Sequence, residues 1–131
     1  MAKVKKPTIA KLFNDAKSSK NANKCGMFLL YNGTVRVDAK QKVREGKKGT
    51  KKVSGMIFDY DQKKVDASIK KAQKLPGIYY IKVWLNNGKL KLGDDIMLVL
   101  VGGDIRPHVI DCLQSLVGEL KTKCVIENEL Y

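Results

Sequence analysis

The chain has 131 residues, and its 26 Lys+Arg against 13 Asp+Glu give a formal net charge of +13. At 44% hydrophobic residues it has apolar material for one buried core, which excludes wholesale disorder. No apolar run approaches the ~20 residues of a membrane span, and the Lys-rich start lacks the apolar stretch of a secretory signal, so a soluble, cytoplasmic, basic single domain is expected.

Residues 7–18, PTIAKLFNDAKS, open on Pro7 and space Ile9, Leu12 and Phe13 as a helix does. A short amphipathic helix is expected there, within a basic N-terminal segment (1–24) that precedes the main domain (25–131). Residues 26–37, GMFLLYNGTVRV, read as a strand in which Asn32-Gly33 is either a tight turn or a bulge. The stretch 38–52 has no apolar periodicity and reads as a mobile basic loop. Met56, Phe58 and Tyr60 alternate within a second strand over 53–60, and Asp61 is placed to cap a helix running to about Leu75. That helix turns Val65, Ile69, Ala72 and Gln73 inward and stops at Pro76-Gly77.

Residues 78–86 form a third strand, followed by a turn signal at Asn87-Gly88. The run over 95–102, DIMLVLVG, has the continuous apolar character of a central strand buried on both faces. Gly102-Gly103-Asp104 then leads into a helix with Pro107 in its first turn and a buried stripe of Val109, Ile110, Leu113, Leu116, Val117 and Leu120. A last edge strand is expected over 124–127. This order predicts an α+β domain with hairpin-like strand pairs and helices packed on one side of an antiparallel-rich sheet.

Only three of the basic residues are arginines: Arg36, Arg44 and Arg106. Lysine carries diffuse hydrated charge, whereas the planar guanidinium binds phosphate or carboxylate in a bidentate fork. Lysines cluster over 1–24 and 40–52, which suits a solvated surface or an electrostatic funnel for an anion. Nucleic acid ranks last among the readings. Aromatics are 7% of the chain, paired-cysteine zinc spacing is absent, and the last helix lacks polar base-reading side chains. Cys25, Cys112 and Cys124 are odd in number and widely spaced, which argues against a disulfide framework. Cys112 is expected in the core. Cys124 follows Lys121 and Lys123, neighbours that favour a thiolate.

The segment Gly88-Lys89-Leu90-Lys91-Leu92-Gly93-Asp94-Asp95-Ile96, a following apolar strand, Arg106, a helix and Leu120-Lys121-Thr122 together resemble the large, catalytic subunit of molybdopterin synthase. Upstream, Gly33-Thr34-Val35-Arg36 is similar to that family's Gly-x-Val-Arg strand end, and Phe58-Asp59-Tyr60 to its Leu-Glu-Tyr-type strand end. The resemblance runs from about Cys25 to Cys124. It implies an α/β hammerhead-like fold and a homodimer. It also implies a ubiquitin-like sulfur-carrier small subunit as partner, whose thiocarboxylated tail delivers sulfur to cyclic pyranopterin monophosphate. Neither a metal nor an organic cofactor is implied.

On this resemblance Lys121 is the catalytic cation that meets the tail. Arg36 and Arg106 bind the anionic pterin phosphate, and Lys123 and His108 are auxiliary candidates. The chain also departs from the family pattern. Its His-Arg pair reads Ile105-Arg106 here, its histidine ahead of the Gly-x-Leu segment is Leu85, and its second active-site lysine falls at Asn128. A relative that kept the fold and binds a pterin or a ubiquitin-like tail without sulfur transfer is the alternative reading.

Overall fold

Thr8 lies in extended backbone, and its side chain accepts a hydrogen bond from the Lys11 N–H at 3.1 Å, satisfying a donor that a helix start leaves open. It caps α1 (Ile9–Lys17). The computed structural model describes residues 4–40, 46 and 52–131. After α1 come a 3-10 turn (Ala22–Lys24), β1 (Met27–Thr34), β2 (Gly55–Tyr60), α2 (Gln62–Gln73), β3 (Ile78–Leu85) and β4 (Gly88–Lys91). β5 (Asp95–Gly103), α3 (Arg106–Glu119), a π turn (Leu120–Cys124) and β6 (Val125–Leu130) complete the order. The basic loop expected over 38–52 lies, except for residues 38–40, 46 and 52, outside the described residues.

The strands form two antiparallel three-stranded sheets, β1-β5-β3 and β4-β2-β6. β5 is the doubly buried strand its composition demands, and successive residues feed opposite faces of the sheet. Met97, Val99 and Val101 join Val109, Cys112 and Leu116 of α3 in the larger core. Leu98 and Leu100 join Leu12 and Ala16 of α1, with Trp84, in a second core on the other side. Burying each such aliphatic side chain contributes about 1.5–3 kcal/mol, so neither face is incidental. Trp84 further ties down the N-terminal segment, its Nε1 donating to the Val4 carbonyl at 3.1 Å.

Four sequence expectations are corrected. Helices cover both faces of the β1-β5-β3 sheet, because β1 and β5 are apolar at odd and even positions alike and need two covers. β1 and β2 do not pair as a hairpin: β2 buries one face only (Met56, Phe58, Tyr60) and joins the second sheet. Gly88–Lys91, given no element beyond the turn signal at Asn87-Gly88, is a strand of that second sheet, while β3 pairs with β5. Within the helices, Ile9, Gln73 and Ile110 are exposed and the small Ser68 takes an inward position, while Cys112 lies in the core as expected. The Asn32-Gly33 ambiguity resolves as a bulge, since the β1–β5 register shifts between Gly33 and Thr34.

Candidate functional site

Asp61 caps α2 through the Lys63 and Lys64 N–H groups at 3.0 and 3.3 Å, and Gly77, at φ +75°, turns the chain into β3. α2 and the sheet thereby hold α3 in place, and the C-terminal end of α3 builds the site. The helix continues into a π turn whose two ends, Leu120 and Cys124, are 0% and 4% exposed. The Thr122 hydroxyl donates to the Gly118 carbonyl at 2.9 Å and secures the wider winding. With both ends sunk in the core, Lys121 and Lys123 leave in opposite directions, as residues two apart on a helix do.

Lys121 enters a cavity of about 410 Å³ between the two sheets, lined among others by Tyr31, Arg36, Lys40, Glu127 and Asn128. Arg36 arrives from the end of β1, 85 residues earlier in the chain, and Glu127 and Asn128 from β6. Lys121 Nζ lies 3.7 Å from Glu127 Oε1. That oxygen is buried and has no hydrogen-bond partner, a costly state for a carboxylate and one that a small turn of the lysine, or a ligand donor, relieves. Glu129, also on the cavity wall, accepts from the Lys40 N–H and from the Tyr131 hydroxyl. Tyr31 and Lys121 also border an apolar groove of about 410 Å³ along Leu29, Ile110, Leu113 and Val117. Lys121 therefore sits where an apolar channel meets a charged chamber.

The other sequence candidates lie elsewhere in the chain. Lys123 lines a separate cavity with Ser68, Glu119 and Cys124. There the Ser68 hydroxyl donates to Glu119 at 3.0 Å, and Ser68 with Lys71 holds the Glu119 carboxyl below the usual range. Cys124 is buried beside Ser68, with Sγ 3.5 Å from its Oγ. Cys112 is fully buried, and loss of solvation pushes its thiol up. Arg106 is exposed at the first residue of α3; at 1.5 Å per residue, that 14-residue helix puts it ~20 Å from the Lys121 end. His108 stays with Arg106 at that far end, its Nδ1 2.8 Å from Asp104 Oδ1, and this bond holds the Asp104 carboxyl below its ordinary value.

Among the charged and aromatic residues of the cavity, Tyr31, Lys40, Glu127, Glu129 and Tyr131 escaped sequence reasoning as site members. Lys40 is four residues beyond Arg36, the one local signal pointing to it. Glu127 and Tyr31 reach the cavity only through pairings of β6 with β2 and β1 with β5.

A family model described as MoaE protein matches residues 5–123. No curated protein matches the chain. Among solved structures it is similar to molybdopterin synthase from Staphylococcus aureus, with a TM-score of 0.72 at 16% identity over 96% of this chain and 87% of that one. It is also similar to the MoaE protein of Burkholderia ambifaria MC40-6, with a TM-score of 0.71 at 16% identity over 96% of this chain and 84% of that one. A third likeness is to the complex of subunits 1 and 2 of molybdopterin-converting factor from Helicobacter pylori 26695, with a TM-score of 0.63 at 16% identity over 93% of this chain and 82% of that one. At these identities the structural likeness establishes the α+β fold.

Proposed function

This chain belongs to the MoaE protein family, and on that premise we propose that it acts in molybdenum cofactor biosynthesis as the large subunit of a molybdopterin synthase. In this reading it transfers sulfur from a thiocarboxylated ubiquitin-like small subunit to cyclic pyranopterin monophosphate. The observation that carries it is the meeting of Arg36 and Lys121, from distant parts of the chain, in one cavity joined to an apolar groove. An extended tail fits a groove of that character, and its terminal thiocarboxylate needs a cation where the groove ends, which is where Lys121 stands. The Lys121 ammonium stabilises negative charge developing on the tail's acyl group, and Arg36 binds the substrate phosphate in bidentate fashion. The Helicobacter pylori complex, which joins two subunits, gives a precedent for such a partner.

Arg106 completes this site in a homodimer, carried in by a second copy. Ile105 and Ile110, 51% and 41% exposed beside it, suit an interface between copies. A second reading rests on Asn128 and Glu127. The β6 wall that faces Lys121 carries the Asn128 amide, the Glu127 and Glu129 carboxylates and no cation of its own, which favours a binding protein without sulfur transfer. One assay separates the two. Purified chain, thiocarboxylated small subunit and cyclic pyranopterin monophosphate are mixed, and dithiolene product is measured. Product above background is the expected result. A stable complex of the subunits with no product overturns the enzyme reading and leaves the binding one.

A further inference from the structure

Charge in the cavity decides whether it can hold an anion. Arg36 and Lys121 face two carboxylates on the same wall, Glu127 and Glu129, so these four groups cancel. A phosphate ester gains little from a chamber of zero net charge. Among the described residues, the remaining charged side chain on the lining is Lys40, and it turns their balance positive.

The position of Lys40 is built by the fold. Val35 and Ala39 are both 3% exposed, and each anchors the chain immediately before a cavity cation, Arg36 and Lys40. Backbone bonds close the segment around them: Val35 N–H to Asp94 at 3.0 Å, Gly93 N–H to Val35 at 2.8 Å, and Val53 N–H to Val37 at 2.8 Å. From β6 the Glu129 carboxylate then accepts the Lys40 N–H on both oxygens, at 3.0 and 3.3 Å. Glu129 thus uses its lone pairs on the backbone of the residue it places. β6 itself, VIENEL, contributes no cation, and Asn128 shares the lining with Lys40.

We propose that Lys40 is a phosphate-binding residue of this cavity and that Glu129 positions it, a proposal that rests on the cavity being the site of a phosphate-bearing substrate. The ammonium of Lys40 and the guanidinium of Arg36, four residues apart, hold one phosphate group between them, while Lys121 remains for the reacting end of the partner tail.

Calorimetric titration of the full chain with cyclic pyranopterin monophosphate, and separately with inorganic phosphate, tests this. Lys40→Gln is expected to weaken both ligands roughly tenfold, the worth of one charge-assisted hydrogen bond. Lys40→Arg keeps the charge and is expected to stay within about threefold of wild type. Both Glu129 variants remove a negative charge from the wall, so the positioning role is read from the difference between them. Glu129→Gln, whose amide oxygen still accepts the Lys40 N–H, is expected to bind at least as tightly as wild type, and Glu129→Ala several-fold more weakly than Glu129→Gln; equal affinity in the two at matched melting temperature overturns the positioning role. Wild-type affinity in Lys40→Gln overturns the proposal, as does a wild-type chain that binds neither ligand. Dithiolene formation is followed in parallel: absent product with phosphate binding that depends on Lys40 overturns the synthase reading and leaves the Lys40 assignment standing.

Discussion

At its N-terminal end α3 sets His108 against Asp104 at 2.8 Å and leaves Arg106 in solvent. At its C-terminal end it widens into a π turn, sinks Leu120 and Cys124, and delivers Lys121 to a cavity where the buried Glu127 Oε1 has no hydrogen-bond partner. Both ends are polar, and both carry a cation that sequence reasoning singled out. They differ in what surrounds the charge. The first end satisfies its titratable pair internally and opens to water. The second gathers Arg36, Lys40 and Lys121 with two carboxylates around a chamber between two sheets, where the half-buried Lys40 and Lys121 meet half-buried carboxylates and their interactions are worth more than in water. A charged residue in a sequence acquires chemistry from its enclosure, and one helix presents the two outcomes side by side.

The largest effect expected at the enclosed end is loss of the turn itself. Leu120→Ala leaves a cavity where the π turn is anchored and should destabilise the chain by about 2–5 kcal/mol, read from denaturant unfolding. Wild-type stability in that variant would show that the turn is held by something other than this anchor. Next, Lys121→Ala should lower dithiolene formation by about 10²–10³-fold, the range for removing a group that stabilises developing charge, while Lys123→Ala stays within about twofold. Equal losses in the two variants would erase the distinction between the chamber and the neighbouring cavity. Arg36→Ala should raise the apparent KM for the pterin phosphate roughly tenfold with a smaller change in kcat, as expected for a group that binds ground and transition states alike.

The smallest effect belongs to the open end. The His108 bond holds Asp104 below its ordinary value of 3.8, so its contribution to stability is present above that value and is lost as pH falls through the lowered one. In His108→Ala the Asp104 carboxyl should titrate close to 3.8 by NMR, and the acid limb of the unfolding profile should flatten slightly. An unmoved Asp104 titration would assign the shift to the Ile105 N–H instead. Glu119, held low by Ser68 and Lys71, follows the same sign, and Ser68→Ala should raise its titration midpoint toward 4.5.

Much of the fold was legible before any coordinates. The continuous apolar run over 95–102 forced a doubly buried central strand, the alternation of Met56, Phe58 and Tyr60 forced a one-faced strand, and Asp61 and Pro76-Gly77 marked the limits of α2. Each of these signals is local, because period and capping act over a few residues. The candidate site was legible in part: Arg36 and Lys121 were singled out through motifs and line one cavity, and Asn128, where the family pattern has a lysine, lines it too. Lys40 passed as one lysine in a basic run, since nothing near it in sequence reveals the Glu129 carboxylate that receives its N–H from 89 residues away.

The sequence by itself determined the α+β class, the central strand, the helix limits and the family, because hydrophobic period, caps and motifs are written in consecutive residues. Only the tertiary structure decided that helices cover both faces of one sheet, that 88–91 pairs in the other, and that Lys121 and Lys123 part company at a π turn. It alone decided that Lys40 lines the same chamber as Arg36. Those outcomes depend on strand pairing and on how the helices pack. Both bring together or separate residues dozens of positions apart, a relation that no local pattern encodes.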